Sequence, residues 1–519
     1  MEWTPEAEAA IDEAPPFVRK MARKAVEGLT KSKGLALVTQ ELVQEAHRTM
    51  MGKNPNPQAD LNKGDGRRES MLLTEEHRFF ANATGDPLHD AFDRKLAVHA
   101  MARNAPMAPE DLPRAWQDVM TAPPVGRPRR CLYIHIPFCQ TRCLFCGFYQ
   151  NPRTDSATRQ YVDSLLAEME NTAALPFAHG APFQAVYFGG GTPTALTAAD
   201  IRRLVEAVRR LFPLANDCEI TLEGRFLNFG KEKIDAALAA GVNRFSLGVQ
   251  TFDTRVRRSL NRRGSRSDLI ETLSTLRDLG RAVVVIDLIY GLPGQSLDIW
   301  QEDIETYLEL GIDGCDLYQL NIFSGGLLDT AVEKGKLPKP VSIREQADYY
   351  QRGVEMMQAT HQRRLSICHW ARSTRERSIY NALSRGRSEC ILLGAGAGGW
   401  IGGNMFFNQQ ELSAYTDAVK AGEKPLAMGF RGDETGTLYR DIAAQMELGF
   451  CDLEALGECH GQDLIDTVGP VVRQWESTGL VRIDGGCLYP TRAGEFWAVN
   501  LAQILIDMLQ MQKEPQPAG

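Results

Sequence analysis

Three cysteines, Cys139, Cys143 and Cys146, lie in one short stretch, HIPFCQTRCLFCGFYQ, among polar and aromatic neighbours typical of a loop. A structural zinc site usually draws four ligands from two paired motifs, and here only Cys143 and Cys146 form such a pair. His135 could complete a tetrahedral set, so zinc is one alternative. An iron–sulfur cubane takes one thiolate for each iron, so three cysteines at this spacing would leave one iron without a protein ligand.

The open iron of such a cubane can be chelated by a small molecule that carries an amine and a carboxylate. S-adenosylmethionine is a molecule of this kind, and an electron passed from the reduced cluster to its sulfonium breaks a carbon–sulfur bond and releases a 5′-deoxyadenosyl radical. The sequence therefore predicts a [4Fe–4S] cluster on the three cysteines, with S-adenosylmethionine as its partner.

The chain around these cysteines has the pattern of a parallel sheet. From Cys131 onward, short β-rich runs alternate with amphipathic helices, which predicts repeated βα units. The six predicted strands are CLYIHIP, AVYFGGG, EITLEGR, RFSLGVQ, AVVVIDLIYG and CDLYQLN. The cysteines follow the first strand, GGGTPT follows the second, and Glu223, Gln250 and Asp287 close or follow the next three. We expect an α/β fold, a partial (β/α)6 barrel with its active site at the carboxyl ends of the strands.

Composition shifts divide the chain into five predicted segments. These are a small helical domain at 1–52, a linker and N-terminal extension at 53–126, the barrel at 127–345, a mixed, winged-helix-like domain that covers the substrate at 346–505, and a tail at 506–519.

Overall composition narrows the class of partner. The 519 residues are 43% hydrophobic and 24% charged, with a formal net charge of -8, which disfavours generic binding to nucleic acid or to anionic membranes. No apolar run reaches the roughly 18–20 residues of a membrane span, and the N-terminus lacks the order of an export signal. The eleven cysteines are therefore expected to be reduced, in a cytoplasmic protein.

Several motifs carry a resemblance to a known family. The stretch YIHIPFCQTRCLFC resembles the cluster loop of radical S-adenosylmethionine enzymes in the branch of the oxygen-independent coproporphyrinogen dehydrogenases, and YFGGGTPT, GVNRFSLGVQTFD, DLIYGLPGQS and LGAGAG agree in order and spacing over about residues 127–500. The resemblance implies that Gly189, Gly190 and Gly191 let the backbone approach the methionyl amine. The other implied contacts to the cofactor are Tyr133, Phe145, Thr192, Glu223, Gln250, Arg262 and Asp287.

Two of these assignments meet an objection in the sequence. The ExNP ending that is usual in this branch after the glutamate is missing at Glu223. Arg262 lies in the basic run RVRRSLNRRGSR, which is also typical of a solvated helix face. For the other residues, the alternative is a polar group at a strand end that the barrel itself satisfies.

Other motifs indicate the member of the branch. The decarboxylating enzymes carry an additional cysteine where this chain has Phe148, and the heme chaperones of the branch are shorter at the N-terminus. The segments CGFYQN, TLEGR, HWARSTRERSIYN and GAGAGGWIGG resemble the anaerobic heme-degrading methyltransferases. That resemblance implies methylation of heme, radical opening of the macrocycle to a linear tetrapyrrole, release of iron, and a flavodoxin-type electron donor. A heme chaperone is the alternative.

The N-terminus carries a second resemblance. WTPEAEAAIDEAPPFVRKMARKAVEGL is similar to the small C-terminal domain of light-independent protochlorophyllide reductase, which is another tetrapyrrole enzyme. The alternative is a helical appendage that serves stability or docking.

A heme substrate would need apolar walls and cations for its propionates. Arg372 and Arg375, with Arg377 nearby, are candidates for the propionates, and Trp370 is a candidate for the wall. His369 is a candidate axial ligand or proton donor, although a single histidine is often a satisfied structural group. An exposed charged helix is the alternative for the arginines.

Overall fold

The fold is described from a computed structural model. It describes residues 2–12, 79–96, 100, 105–124, 126, 128–432 and 434–511, and, between 23 and 44, residues 23, 26, 27, 29, 30, 33, 35 and 37–44. Most of the predicted linker (53–78) and the end of the predicted tail (512–519) lie outside the described residues.

The chain divides into two compact units. One comprises residues 1–78 and 321–338, and the other comprises residues 79–320 and 339–519. The predicted boundary between 345 and 346 falls in the first turn of a helix, Ile343–Ala359. The predicted division into five segments stays a prediction.

The structure describes strands in both units. They are β1 Glu2–Trp3, β2 Leu37–Val38, β3 Ala105–Pro106, β4 Arg130–Ile136, β5 Phe138–Cys139, β6 Asn151–Pro152, β7 Phe183–Gly190, β8 Leu214–Gly224, β9 Arg244–Gln250, β10 Val283–Tyr290, β11 Gly314–Gln319, β12 Arg363–Arg364, β13 His369–Ala371, β14 Glu389–Leu393, β15 Gly398–Ile401, β16 Asn404–Asn408, β17 Leu426–Arg431, β18 Cys451–Asp452, β19 Val481–Asp484 and β20 Cys487–Pro490.

The helices of the described residues are numbered in the same way. They are α1 Pro5–Asp12, α2 Pro87–Asp90, α3 Leu112–Met120, α4 Asp155–Ala173, α5 Pro176–His179, α6 Ala198–Leu211, α7 Lys231–Ala240, α8 Thr254–Ser259, α9 Arg266–Leu279, α10 Leu297–Leu310, α11 Leu327–Glu333, α12 Ile343–Ala359, α13 Ile379–Arg385, α14 Leu412–Lys420, α15 Glu434–Glu447, α16 Leu453–His460, α17 Leu464–Ser477, α18 Arg492–Phe496 and α19 Ala498–Met511.

The first unit contains a short parallel pair, β1 with β2. Helix α1 begins at Pro5, and the hydroxyl oxygen of Thr4 accepts a hydrogen bond from the backbone N–H of Ala7, as the Thr4–Pro5 pair predicts. Ala7, Ile11 and Val38 are part of its small apolar core.

The second unit is built on a sheet of nine strands in the order β12-β13-β11-β10-β9-β8-β7-β4-β14. The six predicted strands are its centre, and each pairs in parallel with its neighbour. They read as nearly continuous apolar runs because helices cover them; α4, α6 and α7 pack side by side. The predicted α/β fold with six parallel strands connected by helices is confirmed.

Three further strands lie at the edges of this sheet. β14 pairs in parallel with β4. At the other edge, β13 runs antiparallel to β11, with Gly314 opposite Ala371 and Asp316 opposite His369, and β12 pairs antiparallel with β13. The chain therefore reverses direction before His369, and it leaves the sheet after Ala371 at the amino-terminal end of β11.

The C-terminal part of the second unit contributes two smaller sheets. One has the order β15-β16-β17-β3, and the other has the order β18-β20-β19. Helix α17, the β19–β20 hairpin and then α18 and α19 follow one another in the order that predicts a winged-helix-like fold. In the described residues, no helix has both the length and the apolar character to span a membrane.

Candidate active site

The carboxyl ends of the six parallel strands meet at one edge of the sheet, and the cysteine loop and most of the predicted cofactor-binding residues lie there. The cysteine loop follows β4 and begins in β5, and Gly189 and Gly190 end β7. Glu223 is the last but one residue of β8, and Gln250 is the last residue of β9. Asp287 lies deeper, at mid-strand in β10, opposite Gly248 and Asp316.

Each of the three cysteine sulfurs lies close to a polar group of the protein. Cys139 Sγ is 3.3 Å from Thr192 Oγ1, and Cys143 Sγ accepts a hydrogen bond from Arg262 Nη1 at 3.2 Å. Cys146 Sγ accepts a hydrogen bond from the backbone N–H of Phe148 at 3.3 Å. Hydrogen bonds of this kind stabilise sulfur in its thiolate form.

Burial alone would keep the sulfurs of Cys139 and Cys146 protonated. It raises the pKa of the Cys139 thiol and raises the pKa of Cys146 to about 11. A thiol with such a pKa is neutral at pH 7, whereas a thiol bound to a metal is deprotonated outright. The loop therefore becomes a thiolate set once metal is bound, and its hydrogen bonds then have a negative acceptor.

The donor set fits a cluster better than a single ion. Among the described residues, no group of three His, Cys, Asp or Glu side chains could hold one metal ion. Three thiolates that each bind a different iron of a cubane need not converge on one point. His135, which would complete a zinc site, instead has its Nδ1 2.9 Å from the hydroxyl of Tyr133.

Residues after β8 and α8 hold the cysteine loop in place. The guanidinium of Arg225 donates to the carbonyl and the hydroxyl oxygen of Thr141 at 2.8 and 3.0 Å. The Nδ2 of Asn261 donates to the carbonyl of Arg142 at 2.8 Å, and the N–H of Leu144 donates to the carbonyl of Leu260. Arg225 and Asn261 were not predicted; the only sequence signal for them is that they adjoin predicted site residues.

Arg262 lies inside the protein and not on a solvated helix face. Its side chain is buried and also donates to the carbonyl of Gly248, beside the aromatic ring of Phe145 with 6.0 Å between Cζ and the ring centroid. Burial lowers its pKa. The alternative reading of its basic segment is therefore wrong for Arg262, while its contact to a cofactor stays a prediction.

The glycine turn after β7 is needed for close packing within the protein. A Cβ on Gly190, which has φ of +108°, would lie 2.5 Å from the ring of His135. A Cβ on Gly189 would lie 2.8 Å from Glu223 Oε2. These glycines let His135 and Glu223 approach the turn; an approach to the methionyl amine stays a prediction.

Two carboxyl groups at this edge have unusual proton affinities. Burial, together with repulsion from Asp287, raises the pKa of Glu223 to about 8, although the backbone N–H of Gly190 opposes this. Burial and then Asp316 raise the pKa of Asp287 to about 7. Near neutral pH each can therefore donate or accept a hydrogen bond, which suits polar ligands such as ribose hydroxyls or an α-amino group.

Several buried polar atoms at this edge have no partner in the described part of the chain. They are His135 Nε2, Gln250 Oε1 and Arg262 Nε. Gln250 also has a φ of +69°, which is uncommon for a residue other than glycine. Buried polar groups are normally paired, so this edge is suited to a polar ligand such as S-adenosylmethionine.

Three tyrosines stack inside the barrel. The ring centroids of Tyr133 and Tyr187 are 6.4 Å apart, those of Tyr133 and Tyr380 are 6.1 Å apart, and those of Tyr187 and Tyr380 are 4.5 Å apart. Burial and then Glu223 raise the pKa of Tyr133 well above its usual value, so the phenol stays neutral. Tyr187 and Tyr380 were not predicted, because only the fold brings them beside Tyr133.

His369 and Trp370 lie in β13 and are both buried. The Nδ1 of His369 is 2.7 Å from Asp316 Oδ2, and its Nε2 is 3.2 Å from Glu376 Oε1. Both nitrogens therefore face carboxylates. Trp370 is 1% exposed and lies against Arg364. His369 is thus part of a buried ion-pair network and Trp370 is a core residue, while a contact of either residue to heme stays a prediction.

The predicted propionate ligands lie at the wrong end of the barrel. Arg375 donates to the carbonyls of Gly280 and Ala282, which precede β10, and its Nη1 is 3.3 Å from Asp313, which precedes β11. The backbone of Arg372 also bonds to Asp313. Because β13 runs antiparallel to β11, these arginines emerge at the amino ends of the strands, opposite the cysteines.

Lys95 is a cation that sequence reasoning missed. Its Nζ donates to Oε1 of Gln319, the last residue of β11, and lies 4.4 Å from the centroid of the Phe496 ring. Burial lowers its pKa to about 7, and in the described residues it has no carboxylate partner. It lies at the same edge as the cysteines.

Comparison with known proteins agrees with this architecture. The model of the radical SAM superfamily matches residues 133–307, and the model of the proto-chlorophyllide reductase 57 kD subunit matches residues 3–47. Anaerobilin synthase of Escherichia coli O157:H7 is 41% identical over 425 residues, which cover 82% of this chain and 94% of that protein. Heme chaperone HemW of Bacillus subtilis is 28% identical, covering 70% and 95%.

A solved structure is also similar. The radical SAM enzyme coproporphyrinogen III oxidase (HemN) from Escherichia coli matches with a TM-score of 0.67 and 25% identity, covering 76% of this chain and 93% of that one. The parallel barrel and its three-cysteine loop therefore define a radical S-adenosylmethionine enzyme. Within that superfamily, the chain belongs to the family of anaerobilin synthase.

Enzymes of this superfamily use a [4Fe–4S] cluster and S-adenosylmethionine. The residues present fit both. Three sulfurs close to polar hydrogen-bonding groups suit the cluster, and unpaired polar atoms beside Glu223 suit the sulfonium cofactor.

Proposed function

We propose that the protein degrades heme without oxygen, by methylating it and opening the macrocycle to a linear tetrapyrrole with release of iron. The main support is the 41% identity to anaerobilin synthase over nearly all of that protein. Phe148, at the position of the additional cysteine of the decarboxylating enzymes, is consistent with it. The N-terminal match to a protochlorophyllide reductase subunit supports a tetrapyrrole substrate.

A [4Fe–4S] cluster bound here would supply the electron for reductive cleavage of S-adenosylmethionine. In this proposal Cys139, Cys143 and Cys146 bind the irons, while Arg262 and Arg225 fix the loop. The implied contacts to S-adenosylmethionine are Tyr133, Phe145, Gly189, Gly190, Gly191, Thr192, Glu223, Gln250, Arg262 and Asp287. These residues are buried or half-buried, and a site that excludes water protects a radical from side reactions.

Lys95 replaces the predicted arginines as the candidate cation for a propionate. It lies at the cysteine edge of the barrel, whereas Arg372 and Arg375 lie at the opposite edge. A half-buried ammonium without a carboxylate partner among the described residues would gain a charge-assisted hydrogen bond from a substrate carboxylate.

Product mass tests the proposed function. Anaerobically purified protein is incubated with heme, S-adenosylmethionine and a flavodoxin-type reductant, and the Soret band and products are followed by absorbance and mass spectrometry. We expect a methylated linear tetrapyrrole. Formation of 5′-deoxyadenosine with heme left unchanged would contradict the proposal.

A cysteine variant supplies the matched control. Cys143→Ala should abolish cluster assembly and turnover, because it removes one iron ligand. Cys459→Ala, at an exposed thiol outside the cysteine loop, should retain both. Activity retained in the Cys143 variant would refute the role of the loop.

A heme chaperone is the second candidate, favoured by the 28% identity to HemW over 95% of that protein. It would bind heme reversibly in a one-to-one ratio and pass it unchanged to an apo-cytochrome. Further proposals are a flavodoxin-type electron donor, a cytoplasmic location, and no nucleic-acid or membrane partner.

A further inference from the structure

Four exposed arginines lie on and beside the cysteine loop. Arg142 is in the loop itself, Arg255 and Arg258 are one turn apart on α8, and Arg263 follows that helix. In the part of the chain that the structure describes, none of the four forms an ion pair. We call Arg142, Arg255, Arg258 and Arg263 the loop-side arginine surface.

This surface is joined to the cysteines by direct hydrogen bonds. Asn261 donates to the carbonyl of Arg142, Leu144 donates to the carbonyl of Leu260, and Arg262 donates to Cys143 Sγ. The segment that carries the exposed arginines is therefore the same segment that contacts a ligand sulfur.

Nearby carboxylates cancel only part of this charge, since residues 251–268 contain six arginines and two aspartates. Asp253 caps α8 by accepting from the N–H of Val256, and Asp268 accepts from the N–H of Ser265. Behind the surface, the buried guanidinium of Arg257 donates only to backbone carbonyls, those of residues 249, 251, 263 and 264. The region is strongly positive, although the chain as a whole has a formal net charge of -8.

The loop also offers an apolar contact. Phe148 is 73% exposed, and its own N–H donates to Cys146 Sγ. Tyr149 lies under the guanidinium of Arg142 with 5.2 Å between Cζ and the ring centroid. Aromatic residues and arginine are the residue types enriched at protein interfaces.

We infer that the loop-side arginine surface is the docking site of an acidic one-electron carrier protein. This inference rests on the proposed function, which requires a supply of electrons. An acidic carrier is repelled by the rest of an acidic chain and attracted here, so that it is oriented with its redox group toward the cysteines. One electron moves, so the carrier is oxidised by one electron and the iron–sulfur centre is reduced by one.

Stopped-flow reduction tests this docking site. Full-length reconstituted protein is mixed with flavodoxin hydroquinone, and reduction of the centre is followed by absorbance for the wild type and for Arg255→Glu/Arg258→Glu. The matched control, Arg202→Glu/Arg473→Glu, makes the same charge change at exposed helical arginines outside this surface. Reduction by dithionite, a small anion that needs no docking, measures the integrity of the centre.

We expect the second-order rate constant with flavodoxin to fall at least about 10-fold in the variant at low ionic strength, and the gap to narrow in about 0.5 M salt. The control should keep the wild-type rate. Equal rates in the variant and wild type, or an equal loss in the control, would overturn the inference. A variant that keeps the wild-type flavodoxin rate but loses binding to RNA would assign the surface to RNA and would also overturn it.

A variant that dithionite also fails to reduce would show a structural role, and Arg255→Gln/Arg258→Gln with an unchanged flavodoxin rate would then overturn the proposal. Because the measured quantity is reduction of the centre, this test is independent of the fate of heme. Normal reduction with intact heme would contradict the proposed function alone.

Discussion

Arg262 Nη1 lies 3.2 Å from Cys143 Sγ, buried at the carboxyl edge of the barrel, where the guanidinium has no carboxylate partner among the described residues. Its hydrogen-bond acceptors are the sulfur and the carbonyl of Gly248. The positive charge of Arg262 therefore faces the Cys143 sulfur, a predicted ligand of the iron–sulfur centre, and is not neutralised by a salt bridge within the described part of the chain.

Arg262→Gln should lower the reduction potential of the centre. The guanidinium stabilises the additional negative charge of the reduced form, so that the loss of about 1.4 kcal/mol of this stabilisation corresponds to about 60 mV for one electron. Redox titration followed by electron paramagnetic resonance measures the shift. Arg262→Lys should recover part of it, and a potential unchanged in both variants would contradict the role.

Gly190→Ala should destabilise the protein more than an alanine at an open glycine of similar backbone. At Gly422, with φ of +77° and no atom within 4 Å of a Cβ, alanine should cost about 1–2 kcal/mol from backbone strain alone. At Gly190 contact with the His135 ring adds overpacking, for a total of about 2–5 kcal/mol. Urea unfolding of both variants checks this; equal losses would show that His135 moves freely aside.

Lys95→Met should stabilise the fold and weaken heme binding. The pKa of Lys95 is lowered to about 7 from about 10.4 in the unfolded chain, so burial penalises folding fully below pH 7 and progressively less up to about pH 10. The stability gain of the variant should therefore be largest below pH 7.

Soret titration measures the binding effect of the same variant. Near pH 6 we expect about 10-fold weaker heme binding, because one charge-assisted contact is lost. Heme dimethyl ester, which has no propionate charge, should bind both forms equally. A wild-type affinity for heme in the variant would exclude Lys95 from the site.

Glu376→Gln should lower the free energy of unfolding by about 3–5 kcal/mol, because it leaves buried Arg244 and His369 without their shared carboxylate. Burial acts to raise the pKa of Glu376, but Arg244 and then His369 lower it to about 2. This stabilisation is present above about pH 4.5 and is lost as the pH falls toward 2.

His369 sets the upper limit of the same pH window. Burial acts to lower its pKa, but Asp316 and then Glu376 raise it to about 9, so its contribution is complete below about pH 6.5 and is lost as the pH rises through 9. The difference between wild type and Glu376→Gln should peak between about pH 4.5 and 6.5 in denaturant titrations. A difference independent of pH would contradict the network.

Arg372→Ala/Arg375→Ala should leave heme affinity within about twofold, because exposed pairs contribute about 0–1 kcal/mol and these lie at the opposite edge from the cysteines. Soret titration beside the Lys95 variant measures this. A large loss of affinity would place heme at the amino ends of the strands.

The six strands and the residues that close them could be predicted from local signals. These signals are the alternation of β-rich runs with amphipathic helices, the glycine turns and the spacing of the cysteines. The positions of His369 and Arg375 could not be predicted, because they depend on the antiparallel pairing of β13 with β11. No sequence pattern between Gln319 and His369 indicates that pairing. Lys95 was missed for a similar reason, since its partners Gln319 and Phe496 are distant in sequence.

The pairing of β14 with β4 bears on how the chain is made. The strand that leads into the cysteine loop is flanked on one side by β7, which follows it closely, and on the other by residues 389–393, which leave the ribosome much later. Until then that side of β4 has unsatisfied backbone groups and is open to mispairing. During synthesis the sheet beside the cysteine loop is incomplete until β14 pairs with β4. We therefore expect cluster assembly to follow release of the whole polypeptide.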